Sequence, residues 1–331
     1  MKYYFYPVRR KGNSTVFNPY CLNFQKELNK QGFVTNYNDI SISPILNLLK
    51  HSFDSDIYFF NWIENIAHLR FSLFQTFVFY IILAILQIRR VKIIWTFHNI
   101  KPHWGGNIKS RLITYTLLHH SSLIITHSNV AYEYLKDKTN KTICFCNHPV
   151  HAFDNLHFEA IKKDLDVVDI LIWGTIYPYK GIQEFLDYYT RLKKELSYKI
   201  YVVGKCSDEF LKVQLLKYQS NDIIFDFRSI SFEELKTIIS ITKYVLFPYI
   251  GDSISSSGVL MDTIALGGVS IAPNKGAFKD INAEGLCLIY DDYEELFLII
   301  QSGITIDENK TRQFLNNNSW ESFVSYILRR L

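Results

Sequence analysis

The residues best suited to chemistry lie in the stretch Ser255-Ser-Ser-Gly-Val-Leu-Met-Asp262. Ser255, Ser256 and Ser257 are helix N-cap residue types, and Val259, Leu260, Ile264 and Leu266 then recur at helical spacing. The stretch follows Tyr244–Pro248, a short apolar run of β type. Free backbone N–H groups and the positive end of a helix dipole at such a junction suit a diphosphate, and Gly258 lets the ligand approach closely. Asp262 stands one turn further on, within reach of a sugar hydroxyl. In Trp173–Ile182, Lys180 falls at a helix start, where a cation is unfavourable unless it faces a bound anion. In Trp95–His103, His98 and Asn99 come directly after a buried strand-like run. Arg9-Arg-Lys-Gly-Asn-Ser14, with Gly12 and Asn13 at its centre, forms a basic loop after the opening strand. The same residues also fit plainer roles: a capped helix, a hydrogen-bonded structural histidine, a solvated turn.

These residues need elements to hold them. Strand-like runs at 3–7, 32–37, 56–60, 91–97, 122–126 and 142–145 alternate with helical patterns at 20–30, 66–88, 108–119 and 130–136. A second series follows, with strands at 167–173, 199–203, 222–227, 243–247, 268–272 and 286–289. Its helices are expected at 182–196, 209–219, 232–241, 258–266 and 293–301. Two such alternations predict an α/β chain of two doubly wound sheets. The expected boundaries are 1–155 for an N-terminal domain, 156–317 for a second, and 318–331 for a last helix packing back toward the first. All four stretches above follow strands, and ligands in such folds bind beyond the carboxyl ends of strands, here in a cleft between domains.

Composition narrows the class. The 331 residues are 48% hydrophobic and 21% charged, as in folded proteins, and the net charge of +4 is too mild for a nucleic-acid binder. Five cysteines without C-x-x-C spacing fit a reducing cytosol. Nothing at Met1–Tyr6 resembles a signal peptide, so a cytoplasmic protein is expected. The apolar run Phe71–Ile88 reads as a buried or interfacial helix, with Arg89, Arg90 and Lys92 placed to meet anionic headgroups. There is no Walker lysine motif, G-x-G-x-x-G, H-E-x-x-H, or D-x-D after a strand, so neither a metal site nor a cofactor is expected.

Taken together, these stretches resemble the GT-B glycosyltransferases, in particular the large, mostly retaining nucleotide-sugar family with many bacterial polysaccharide-assembly enzymes. Gly174-Thr-Ile-Tyr-Pro-Tyr-Lys-Gly181 resembles the family's G-x-x-x-x-x-K-G stretch, and Ser257–Gly268 its donor loop and helix. Thr96-Phe-His-Asn99 is similar to the histidine segment beside the donor sugar, while Asn18-Pro-Tyr20 and Phe227–Leu235 resemble further stretches of bacterial members. The resemblance implies two Rossmann-like domains and sugar transfer from a nucleotide diphosphate donor to a glycan or lipid-linked glycan. It also implies that Lys180 holds the diphosphate, Asp262 the ribose, and Arg228 the base side, with His98 at the sugar and Gly12, Asn13, Thr175 and Ser255–Gly258 also on the donor side. Arg9, Asn99 and His103 would then face the acceptor. The chain departs from the pattern where Thr175-Ile-Tyr177 replaces a common arginine, Ile254 replaces the first of two glutamates, and Asp262 shortens the second. A non-catalytic nucleotide-sugar-binding module and a sugar-nucleotide epimerase are the alternatives on the same scaffold.

Overall fold

A computed structural model describes residues 1–11, 18–100, 106–151, 153, 167–192, 196–251 and 257–331. The chain divides into two compact units, Met1–Asn147 with Trp320–Leu331, and His148–Ser319.

In the first unit, β1 (Lys2–Tyr6), β2 (Arg9–Arg10), β3 (Phe33–Val34), β4 (Ile40–Ser41), β5 (Ile57–Asn61), β6 (Lys92–Phe97), β7 (Leu123–Thr126) and β8 (Thr142–Phe145) alternate with helices. Those helices are α1 (Pro19–Gln31), α2 (Pro44–Lys50), α3 (Ser72–Ile88), α4 (Ile108–His120) and α5 (Asn129–Lys136). Six strands form a parallel sheet in the order β3-β1-β5-β6-β7-β8, and β2 pairs separately with β4. The central strands are continuous apolar runs because both faces are covered. Tyr4, Tyr58, Ile93 and Trp95 point to one cluster, and Tyr3, Phe5, Phe59 and Ile94 to the other.

The second unit repeats the plan with β9 (Val168–Trp173), β10 (Ile200–Val203), β11 (Ile223–Asp226), β12 (Thr242–Leu246), β13 (Ser270–Pro273) and β14 (Leu288–Tyr290). Its helices are α6 (Ile182–Leu192), α7 (Glu209–Leu216), α8 (Phe232–Ser240), α9 (Gly258–Ala265), α10 (Gly276–Ala283), α11 (Tyr293–Ser302) and α12 (Glu308–Asn317). The sheet order β11-β10-β9-β12-β13-β14 puts β9 and β12 at the centre. The last helix, α13 (Trp320–Leu328), belongs to the first unit and packs on α1.

Three local features differ from the sequence expectations. The helix anticipated over 66–88 is broken: a 3-10 turn covers Ile63–His68, and α3 starts at Ser72 after Phe71 takes a left-handed φ of 58°. The apolar period runs through the break because Ile63, Ile66, Val78 and Phe79 all enter one cluster. The strand anticipated over 32–37 pairs only at Phe33–Val34. Beyond it the Asn36 side chain takes over, accepting from the Phe5 N–H at 3.1 Å and donating to the Phe5 carbonyl at 2.8 Å. Finally α2, α10 and α12 were not anticipated, being short or polar; α12 buries only Phe314.

Candidate functional site

In the second unit, β9 leads into Gly174 (φ 94°), a 3-10 turn at Pro178–Lys180, and Gly181 (φ 64°), which starts α6. Gly181 is required twice over. Its φ lies in the left-handed region, and a Cβ there would come within 2.0 Å of the Pro248 carbonyl oxygen. The turn is thereby pressed onto the end of β12, and Lys180 is buried at 3% exposure. Its ammonium lies 5.5 Å from the centroid of the Tyr249 ring and has no hydrogen-bond or ion-pair partner among the described residues. Burial without an anion lowers its pKa to about 8.

The start of α9 meets this lysine at Gly174. A Cβ on Gly174 would stand 3.2 Å from both the Lys180 Nζ and a methyl of Val259, so glycine keeps the space before the ammonium open. Ser257 caps α9, its Oγ accepting from the Leu260 N–H at 3.2 Å. Trp173 Nε1 donates to Thr263 Oγ1 at 2.7 Å and ties the end of β9 to the same helix. Asp262, on the second turn, is nearly buried and receives His151 Nδ1 on its Oδ1 at 2.5 Å. His148 also reaches α9, 3.9 Å from a Cβ position on Gly258. Neither histidine is among the residues singled out from the sequence. Two histidines within four residues of an apparent linker were the available signal.

Lys180, Gly174, Ser257, Gly258 and Asp262 thus gather around the ends of β9 and β12, while Thr175 is exposed beside them. Arg228, beyond β11, is already engaged. Its Nε donates to Asp226 Oδ2 at 2.9 Å, and its two terminal nitrogens donate to both oxygens of Glu234. These carboxylates raise its pKa further, so its charge is permanent and locally balanced.

In the first unit, His98 follows β6 and is 3% exposed. Its ring stacks on Trp62 at 3.7 Å with 12° between planes, and Trp62 holds a left-handed φ of 50°. Asn61 Nδ2 donates to the Tyr6 carbonyl, which leaves Asn61 Oδ1 to accept from His98 Nε2 at 3.3 Å. Tyr20 meets His98 edge-on with ring centroids 5.0 Å apart, and its hydroxyl contacts His127 Nε2 at 2.8 Å. His127 Nδ1 lies 2.9 Å from the Cys146 carbonyl oxygen, which can only accept, so Nε2 receives the Tyr20 proton. Burial pushes the pKa of His127 down to about 4. Asn99 is half-buried next to His98, and Arg9 lies on β2 opposite Ile40. Gly12, Asn13, His103, Ser255 and Ser256 lie outside the described residues.

Arg89 requires a correction. Its guanidinium does not face outward but donates to the Ser52 and Ser55 carbonyls and the Tyr58 hydroxyl, closing the loop before β5. The exposed apolar surface lies instead along α3 and α4. These helices run side by side, joined by Lys109 to Ser72, Tyr80 to Thr116 and Gln87 to His120. Phe74, Phe77 and Ile81 of α3 and Ile108, Leu112 and Tyr115 of α4 are exposed, Phe77 at 64% and Ile108 at 74%. Among the described residues no helix is long and apolar enough to cross a membrane.

No protein-family model matches the chain, and no curated protein matches it by sequence. Solved structures do match. HepE from Anabaena, crystallised with UDP-glucose, superposes with a TM-score of 0.70 at 12% identity over 100% of both chains. A glycosyltransferase from Rickettsia africae gives 0.68 at 15% identity, covering 99% of this chain and 97% of its own. The E. coli trehalose-6-phosphate protein bound to UDP-2-fluoro glucose gives 0.66 at 11%, covering 95% and 79%. The chain has the GT-B fold, two Rossmann-like units each built on a parallel six-stranded sheet.

Proposed function

We propose that this chain is a glycosyltransferase that moves a sugar from a nucleotide diphosphate-sugar to an acceptor hydroxyl. The observation that carries this reading is the buried Lys180 ammonium, with no hydrogen-bond or ion-pair partner among the described residues, set against the start of α9, with the Asp262 carboxylate one turn along. Breaking the bond between the anomeric carbon and the diphosphate builds negative charge on the leaving oxygen. Lys180 and the first N–H groups of α9 stabilise that charge as it grows, in a position otherwise filled by a metal ion. Asp262, oriented by His151, accepts the ribose hydroxyls, and the Arg228 segment lies on the base side. His98, stacked on Trp62, is assigned to the donor sugar on the resemblance and is not the nucleophile. HepE and the trehalose-6-phosphate protein were solved with UDP-glucose and a fluorinated analogue, so UDP-sugars are the donors to test first.

The acceptor in this reading is a growing or lipid-linked surface glycan, received at the inner face of the cell membrane. The exposed apolar face of α3 and α4 supports a peripheral contact with anionic lipid. Neither helix contains an acidic residue, and Arg70, Lys109 and Arg111 border the face.

A thermal-shift screen against UDP-, GDP-, CMP- and dTDP-sugars tests the donor, since a ligand bound only by the native state raises the melting temperature. A UDP-sugar is expected to stabilise the protein, and sugar release with EDTA present is expected only when an acceptor is added. No stabilisation by any nucleotide sugar would overturn the proposal. Release without an acceptor would favour another reaction.

A further inference from the structure

A groove of about 430 Å³ lies in the second unit beyond the ends of β12, β13 and β14, and its lining includes Tyr249, the ring near Lys180. Four tyrosines line it: Tyr188, Tyr249, Tyr290 and Tyr293. Tyr293 bridges the set, its ring 5.1 Å from that of Tyr188 and 6.0 Å from that of Tyr290. Asp291, Asp292 and Glu294 also line the groove, against a single cation, Lys275. Asp292 is spent as the cap of α11, and Asp291 accepts from Asn274 at 3.1 Å. Glu294 is exposed at the rim.

Tyr290 makes this more than a dent between helices. It is 5% exposed, yet its hydroxyl has no hydrogen-bond partner among the described residues. The ring is buried while the hydroxyl oxygen stays open to the groove, where it can pair with a ligand without breaking a bond to a described residue. A residue serving the core alone would be better as phenylalanine. The excess of carboxylates disfavours a phosphate, so the groove is not an extension of the diphosphate site. Tyrosine faces and edges suit the C–H surfaces of a sugar ring, while carboxylate and phenol oxygens suit its hydroxyls. The volume falls within the usual span of small-ligand sites, roughly 300–1,000 Å³.

We infer that this groove binds an uncharged pyranose belonging to a glycan and not to the nucleotide donor. The saccharide assignment stands apart from the transfer reading. Its role as an acceptor subsite, sharing Tyr249 with the leaving-group lysine, rests on that reading.

Saturation-transfer NMR on the full chain tests it, using the methyl glycosides of glucose, galactose, mannose and N-acetylglucosamine, with uridine as control. At least one glycoside is expected to receive saturation on its ring protons. Tyr290→Phe removes only the unpartnered hydroxyl. It is expected to keep or raise the melting temperature while weakening glycoside binding roughly fivefold. Glu294→Gln, at an exposed position, should weaken it without altering stability. UDP affinity, measured on the same samples, should not change in either variant. Saturation of none of the four glycosides, or equal saturation in wild type and both variants, would overturn the inference. So would displacement of the glycoside by UDP-glucose together with loss of UDP-glucose affinity in Tyr290→Phe, which would make the groove the donor-sugar pocket. Failure of UDP itself to bind counts against the proposed function and leaves the groove to be judged on its glycosides.

Discussion

Lys180 carries opposing demands at the residue scale. Its ammonium is buried without an anion, so the folded, ligand-free protein holds it with a pKa of about 8 against 10.5 for an unperturbed lysine. Below pH 8 both states are protonated and the folded state bears the full cost of burying the charge. Between about 8 and 10.5 the unfolded state binds more protons, so this residue's contribution to stability improves as pH rises. Lys180→Met is therefore expected to raise the melting temperature of the free protein at pH 7 while lowering turnover by roughly a hundredfold. Wild-type affinity for UDP should begin to fall as pH rises past about 8, where the diphosphate is already fully ionised, approaching tenfold per pH unit. Titration calorimetry at pH 7 and 9 and a melting scan read both effects. A pH-independent affinity, or a variant that melts lower and turns over normally, would remove Lys180 from the donor site. His151 is the other residue-scale finding: its partner Asp262 is 111 positions away, so its neighbours in sequence do not reveal the pairing.

At the scale of elements, α3 and α4 show how apolar content and burial separate. The sequence of α3 is apolar on nearly all sides, and burial uses only Val78, Phe79, Ile82, Leu83 and Leu86. Leu73, Phe74, Phe77, Ile81 and Ile88, with the outer face of α4, stay exposed. Co-sedimentation with anionic vesicles at low salt is expected for the wild type and should weaken with added salt. Phe77→Ser with Leu112→Ser should abolish it, and Arg111→Gln should reduce it by about 1 kcal/mol. Arg89→Gln is expected to leave binding alone but to destabilise the fold by roughly 1–3 kcal/mol, because two backbone carbonyls and the Tyr58 hydroxyl lose their partner. Wild-type protein that stays in the supernatant would eliminate the membrane contact. A binding loss in Arg89→Gln without loss of stability would return that arginine to the surface role first expected of it.

At the scale of the whole molecule, the chain leaves its first unit at Asn147 and returns to it at Trp320. Around these crossings Val150 bridges to Ser319, and the Val150 N–H donates to the Asn318 carbonyl at 2.9 Å. Helix α13 then delivers Trp320, Phe323, Val324 and Ile327 into the cluster of Tyr3, Phe5, Tyr20 and Phe24. Ending the chain at Ser319 removes all four, and at about 2–5 kcal/mol for each large apolar side chain the loss rivals the whole stability of a domain. Hydrogen exchange should show the β1 and α1 amides losing protection while those of β9 and β12 keep theirs. Full protection of β1 in the truncated chain would contradict this account. The α/β alternation, the paired sheets, the capped start of α9 and the place of Lys180 before α6 were all legible in the sequence, because each is written in local period, capping types and glycine positions. Other features were settled only by tertiary structure: the pairing of His151 with Asp262, the stacking of His98 on Trp62 beside Tyr20, and the inward turn of Arg89. Each depends on which distant strands end side by side, and in a parallel sheet that is decided by crossover connections and not by any neighbour in the chain.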